Sequence, residues 1–271
     1  MRPIFISRPL VALAAGFALA IGPADATGLS ASYALDVAGI TVLDFTASLE
    51  FSEGAYAVGT TARTSGIAAV FISGHQASRV DGAWRGVQPA PTRYRADGVW
   101  RGADRHAELD YERGQPFVRV LDPPEPELRL PVPPKQQRDT TDPLSAFARL
   151  VRQVRDTGRC DGHVSIFDGR IRLEIMVRTE GIQHLDGGRG GWSGDAMRCA
   201  YESRTVAGFR RDQDPADAAR PERGTAWIAV PAPGMLPAPG MLPVPVRIDA
   251  ANRWFGSTTI RLVHVEAHPD R

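Results

Sequence analysis

Six histidines, His75, His106, His163, His184, His264 and His268, offer this chain its widest choice of chemistry, because an imidazole can ligate a metal or move a proton near neutral pH. Their spacing removes most of that choice. None forms H-x-H or H-E-x-x-H, and no histidine and carboxylate cluster has the spacing of a zinc site. His264 and Glu266 share one face of an alternating segment and can meet one ligand, an arrangement that is commonplace on exposed strands. The run Gly187-Gly-Arg-Gly-Gly-Trp-Ser-Gly194 lacks the G-x-G-x-x-G of a dinucleotide site. Ser193 is not in a nucleophile elbow either, since Asp195 stands where G-x-S-x-G needs its last glycine. The run reads as a hairpin loop. Asp168-Gly169-Arg170 sets an acid beside a base, but Asp-Gly is first of all a turn dipeptide. The sequence therefore assigns no catalytic residue, no cofactor-binding residue, no metal ligand and no ligand-binding residue.

Cys160 and Cys199 are the only cysteines. Their meaning depends on the compartment. Residues 1–26 carry Arg2 and Arg8, an apolar stretch from Pro9 to Ile21, and Ala24-Asp25-Ala26, the pattern of a secretory signal peptide cleaved after Ala26. No cysteine lies near that point to be acylated, so the expectation is a free periplasmic protein comprising residues 27–271 as a single β-rich domain. In an exported chain an even cysteine count favours a disulfide, which would add about 4 kcal/mol of stability on the chain-entropy model. A redox or metal pair is the competing reading, without C-x-x-C spacing to support it. The 32 basic and 31 acidic residues become 30 and 30 once Arg2, Arg8 and Asp25 are removed. That balance argues against a nucleic-acid partner. No second apolar run approaches the roughly 20 residues of a transmembrane segment.

The elements that would position any site are mostly strands. From Val42 to Phe51, Leu43, Phe45, Ala47, Leu49 and Phe51 alternate with largely polar neighbours, and Ala55 to Arg63 returns after Ser52-Glu53-Gly54. Asp81-Gly82 and Asp97-Gly98 read as type I′ turns, and Asp168-Gly169 as the turn of a hairpin from Val164 to Val177. Further strands are expected at 196–204, 225–230, 246–249 and 258–266, for a total of about ten to twelve. One segment has helical period. Asp142 can cap it, Pro143 suits its first position, Leu144, Phe147, Leu150, Val151 and Val154 form its stripe, and Gly158 suits its end. Residues 122–142 hold a Pro-rich crossover. Residues 231–245 repeat Pro-Ala-Pro-Gly-Met-Leu and read as a tolerant loop insertion, and 211–224 as a polar loop.

Several landmarks recur in a known order: Gly39-Ile40, Pro89 with Tyr94, Asp142-Pro143-Leu144, Cys160, Phe167-Asp168-Gly169-Arg170, Trp192-Ser193-Gly194-Asp195-Ala196 with Cys199, Gly208-Phe209, and Pro245-Val246-Arg247-Ile248. In that order they resemble DUF3108, a family of exported bacterial proteins of unknown function. The resemblance implies an all-β protein, an antiparallel curved sheet or incomplete barrel like the lipoprotein carriers, with one amphipathic helix. It also implies that Cys160 and Cys199 are the family's cysteine pair, and it implies no reaction. Three readings follow. The first is a non-catalytic envelope protein that holds a lipid or other hydrophobic envelope component in a concave sheet. The second is a structural or interaction module that binds an envelope protein or a glycan through Trp84, Trp100, Trp192 and Trp254 near turns. The third is an enzyme with a dispersed site.

Overall fold

The computed structural model describes residues 27–268 apart from 72, 101, 125–128, 233, 235, 236 and 253–255. The signal segment read at 1–26 and Trp254 lie outside the described residues. Alternating residues form β1 (Thr27–Val37), β2 (Ile40–Phe51), β3 (Ala55–Thr64), β4 (Gly74–Arg85), β5 (Gln88–Trp100), β6 (Ala103–Glu112) and β7 (Gln115–Asp122) in the first half. The second half contributes β8 (Gly162–Phe167), β9 (Arg172–Asp186), β10 (Ser193–Ala207), β11 (Glu222–Ala229), β12 (Val244–Asn252) and β13 (Gly256–His268). All thirteen join one antiparallel sheet in the order β7-β6-β5-β4-β3-β2-β1-β13-β12-β11-β10-β9-β8. Two meanders are thus zipped together where β1 pairs with β13, from Gly28 opposite His268 to Val37 opposite Thr258. The sheet does not close on itself; β7 and β8 are its free ends.

The helical segment is α3 (Pro143–Thr157), preceded in the chain by single turns α1 (Ala68–Phe71) and α2 (Pro134–Gln137) and followed by α4 (Pro215–Ala218). α3 begins and ends as its residues dictate. The Asp142 side chain accepts from the Ser145 N–H, and Gly158 stops the helix at φ 65° while its N–H donates to the Val154 carbonyl. α3 packs on β3, β4, β5 and β8. Leu144, Ala148 and Val151 join Tyr56, Val58, Val80, Trp84, Tyr94, Leu109 and Phe167 in one buried cluster. The concave side is therefore occupied by a helix and by aromatic side chains.

Three expectations need correction. Asp81-Gly82 and Asp97-Gly98 are not turns but lie inside β4 and β5. Their glycines serve close approach: a Cβ on Gly82 would come 2.6 Å from the Tyr56 ring, and one on Gly98 would come 2.4 Å from the His75 carbonyl oxygen. The β8–β9 hairpin is real, but Phe167 pairs with Arg172, so its loop has four residues, with Asp168 Oδ1 accepting from the N–H groups of Arg170 and Ile171. The second copy of the Pro-Met repeat is not an exposed insertion. Met241 and Leu242 are buried in the main core, since apolar side chains next to a strand gain more from burial than an open loop offers.

The free ends are stitched together. Thr141 forms a parallel bridge with Ile166, its N–H donating to Ser165 O and its carbonyl accepting from Phe167 N–H at 2.9 and 2.8 Å. Leu130 N–H donates to Phe209 O, Arg129 donates to Gly208 O, and Arg172 donates to Gln136 O. Gln115 of β7 exchanges two hydrogen bonds with Asp139. At the centre, the Arg170 guanidinium donates to the carbonyls of Asp122 (2.6 Å), Pro123 (2.9 Å) and His106 (3.4 Å). Gly169 beside it has φ +95° and lies so near Leu121, Leu109 and Ala107 that a Cβ would be 3.3 Å from the first of them. Arg170→Ala removes charge-assisted bonds to three carbonyls and is expected to cost about 2–4 kcal/mol in urea unfolding, with Arg170→Lys recovering part of the loss. An unchanged midpoint would show that the ends hold without it.

Candidate functional site

The most perturbed ionisable group among the carboxylates sits at the start of α3. Asp142 is fully buried. Its Oδ1 takes the Ser145 N–H at 2.8 Å, while Oδ2 has no partner. The Ser145 hydroxyl is 2.6 Å from the Tyr56 hydroxyl, which ties the helix start to β3. Tyr94 and Tyr111 stand in the same interior, both with phenols pushed upward by burial; the next contribution is the Asp168 charge for Tyr94 and the Asp142 charge for Tyr111. Burial likewise raises the Asp142 carboxyl from 3.8 to about 6, against the lowering effect of its hydrogen bonds at the helix N-terminus. Thr141 Oγ1, one residue before Asp142, is also buried without a partner.

The other flank of α3 forms an open groove against β8 and β9. Phe147 and Leu150 of the predicted stripe are only half-buried, and with Val164, Ile166, Ile175 and Val177 they line a space of about 210 Å³. Arg149, Gln153 and His163 stand at its polar margin. Cys160 also lines this groove, and its disulfide to Cys199 pins the chain after α3 to β10. Val154, Met197 and Ile228 pack around the sulfurs.

The histidines do not converge. His106 pairs with Asp97 across β5 and β6, His163 with Glu174 at 2.7 Å across β8 and β9, His184 with Asp195 at 2.7 Å across β9 and β10, and His264 with Glu266 at 3.7 Å along β13. These are four separate contacts between a histidine and a carboxylate on the surface. Among the described residues no group of three His, Cys, Asp or Glu side chains could hold a metal ion. The tryptophans are equally divided. Trp84 is core, donating from Nε1 to Ala55 O with the Arg152 guanidinium 4.3 Å above its ring, whereas Trp100 is 39 % exposed and Trp192 is half-buried within the Gly187–Gly194 run.

The sequence of this chain matches the family model described as "Protein of unknown function (DUF3108)" over residues 31–263. The chain belongs to the DUF3108 family. No curated protein matches it in sequence. Among solved structures, the fold is similar to a crystal structure described as a beta-barrel-like protein of domain of unknown function DUF1849 from Brucella abortus. That similarity has a TM-score of 0.50 and 12% identity, and covers 89% of this chain and 98% of that one. At such identity the likeness concerns the fold: an incomplete antiparallel barrel. The landmarks of the DUF3108 pattern fall where this chain holds itself together. Asp142-Pro143 starts α3, Cys160 and Cys199 form the disulfide, and Phe167 to Arg170 form the loop that meets the other end of the sheet.

In this DUF3108 protein the capping role of Asp142 is legible from its place before Pro143-Leu144, but its burial is not, because the tyrosines around it come from strands 30 to 90 residues earlier. Its raised value gives a defined pH dependence. The unfolded carboxyl ionises near 3.8 and the folded one near 6, so this group favours folding below 3.8 and the advantage is lost as pH rises through about 6, amounting to about 3 kcal/mol. Asp142→Asn keeps the cap and removes the titration. Urea midpoints on either side of this window should therefore show the variant gaining on the parent at the higher pH; parallel curves would contradict the buried charge.

Proposed function

We propose that this protein is a non-catalytic binding protein of the cell envelope, exported by residues 1–26 and folded from residues 27–271 as one unit, whose groove along α3 receives an aliphatic chain of a lipid or similar hydrophobic molecule. The observation that carries this reading is the contrast between a filled concavity and an open apolar flank. The sheet's inner face is covered by α3 and by Tyr56, Trp84, Tyr94 and Phe167, so the ligand space lies beside the helix rather than beneath it. At about 210 Å³ the groove is smaller than the roughly 300–1,000 Å³ of pockets that enclose whole ligands, which suits part of one chain with the remainder outside. Arg149 and His163 at the margin suit a polar or acidic head group.

Export is supported by the disulfide, which persists in oxidising compartments. Among the described residues no helix is long and apolar enough to cross a membrane. A non-catalytic role is supported by the separation of the surface histidines from the buried Asp142, because general acid and base groups must reach one reacting atom.

Ile175 is half-buried on the groove wall, and Ile175→Glu places a charge there without entering the core. A fluorescent fatty acid titrated onto the mature protein should bind saturably, and the variant should weaken it about tenfold or more while leaving the unfolding free energy in urea within about 1 kcal/mol of the parent. Equal binding by both proteins, or none by the parent, would remove the groove as a lipid site.

A further inference from the structure

A second concavity, larger and of opposite character, occupies the β1, β12 and β13 surface beneath the β9–β10 loop. Its volume is about 740 Å³, within the range of ligand-binding clefts. Two arginines furnish its floor. Arg247 and Arg261 are directly opposite each other on β12 and β13, so their side chains leave the same face. Like charges so placed repel. Each is held instead by its own aspartate, and each aspartate by its own threonine. Arg261 Nε donates to Asp36 Oδ2 at 3.1 Å while Thr41 Oγ1 donates to Asp36 Oδ1 at 2.6 Å. Arg247 Nε lies 3.0 Å from both Asp249 oxygens while Thr259 Oγ1 donates to Asp249 Oδ1 at 2.9 Å. Asp36 is 7% exposed, so the Arg261 unit is a built and largely desolvated feature.

These two Thr-Asp-Arg units cancel in charge but not in hydrogen-bonding capacity. Among the described residues the terminal nitrogens of Arg261 meet no acceptor, and they are directed donors fixed by the bond at Nε. Asp186 and Ser257 add acceptor and hydroxyl groups to the lining. A net-neutral floor exerts little pull on a simple anion, whereas interleaved donors and acceptors match adjacent hydroxyl groups. Trp192 supplies a half-buried aromatic wall, and Gly187, Gly188 and Gly191 leave main chain uncovered beside it.

We propose that this cleft is a saccharide-binding site, in which Arg247 and Arg261 bind sugar hydroxyls and Trp192 packs against a ring face. The site is independent of the groove along α3. Both use β9, but Ile175 and Val177 lie in one and Gln183 to Asp186 in the other, about 20 Å apart along the strand. The mature protein would be titrated by calorimetry and tryptophan fluorescence with an N-acetylglucosamine trimer and a glucose trimer, with inorganic phosphate as the anion control. At least one trimer should saturate the signal. Trp192→Ala and the more exposed Arg247→Ala should each weaken it about tenfold, and Ile175→Glu should leave it unchanged. Trp192→Phe, which keeps a ring, should retain most of the affinity and guards against a folding defect in the alanine variant. Saturation by phosphate alone, failure of both trimers, or affinity indifferent to Trp192 and Arg247 would each overturn the proposal.

Discussion

An antiparallel sheet of thirteen strands that does not close has two outer edges, each with a row of backbone N–H and C=O groups that must find partners. The rest of the molecule is arranged around that requirement. The polypeptide between β7 and β8 covers both edges, giving Thr141 to β8 as a parallel rung, Asp139 to Gln115 of β7, and Arg129 and Leu130 to the end of β10. From the β8–β9 loop, the Arg170 guanidinium gathers the carbonyls of His106, Asp122 and Pro123. A Pro-rich sequence suits such a seam because proline brings no N–H that would itself need an acceptor.

Filling the curl with α3 has a second effect. An empty concavity would be the natural ligand space of an incomplete barrel, but the helix start is bound there through Asp142, Ser145 and Tyr56, and its apolar face is covered by strand side chains. Binding surfaces are displaced to places where the packing is left unfinished: the half-buried Phe147 and Leu150 on the helix flank, and the polar cleft under the β9–β10 loop.

Much of this could be read from the residues, for physical reasons that also explain the failures. Strict alternation marked β2, β3, β8 and the start of β9, and α3 was bounded at both ends by its cap and its glycine. Local rules failed at Gly82 and Gly98, where a turn-forming dipeptide serves a close contact with a neighbouring strand that no local pattern reveals. They failed again at Met241 and Leu242, whose duplication suggested tolerance while their apolarity drew them inward. Arg170 was legible as a turn neighbour only, and the Arg247 and Arg261 pair was invisible, because register between β12 and β13 decides that they meet.

The pairing of β1 with β13 carries a kinetic consequence. Asp36 and Arg261, which bond across it, are separated by 225 residues, so this junction closes one of the longest loops in the protein. The two meanders can each form from nearest neighbours, but neither has both flanks of its terminal strand protected until that long-range contact is made. Such a topology folds slowly, with the join as a late event, and in the interval it exposes the unpaired side of β1, a strand carrying Leu29, Ala31 and Tyr33.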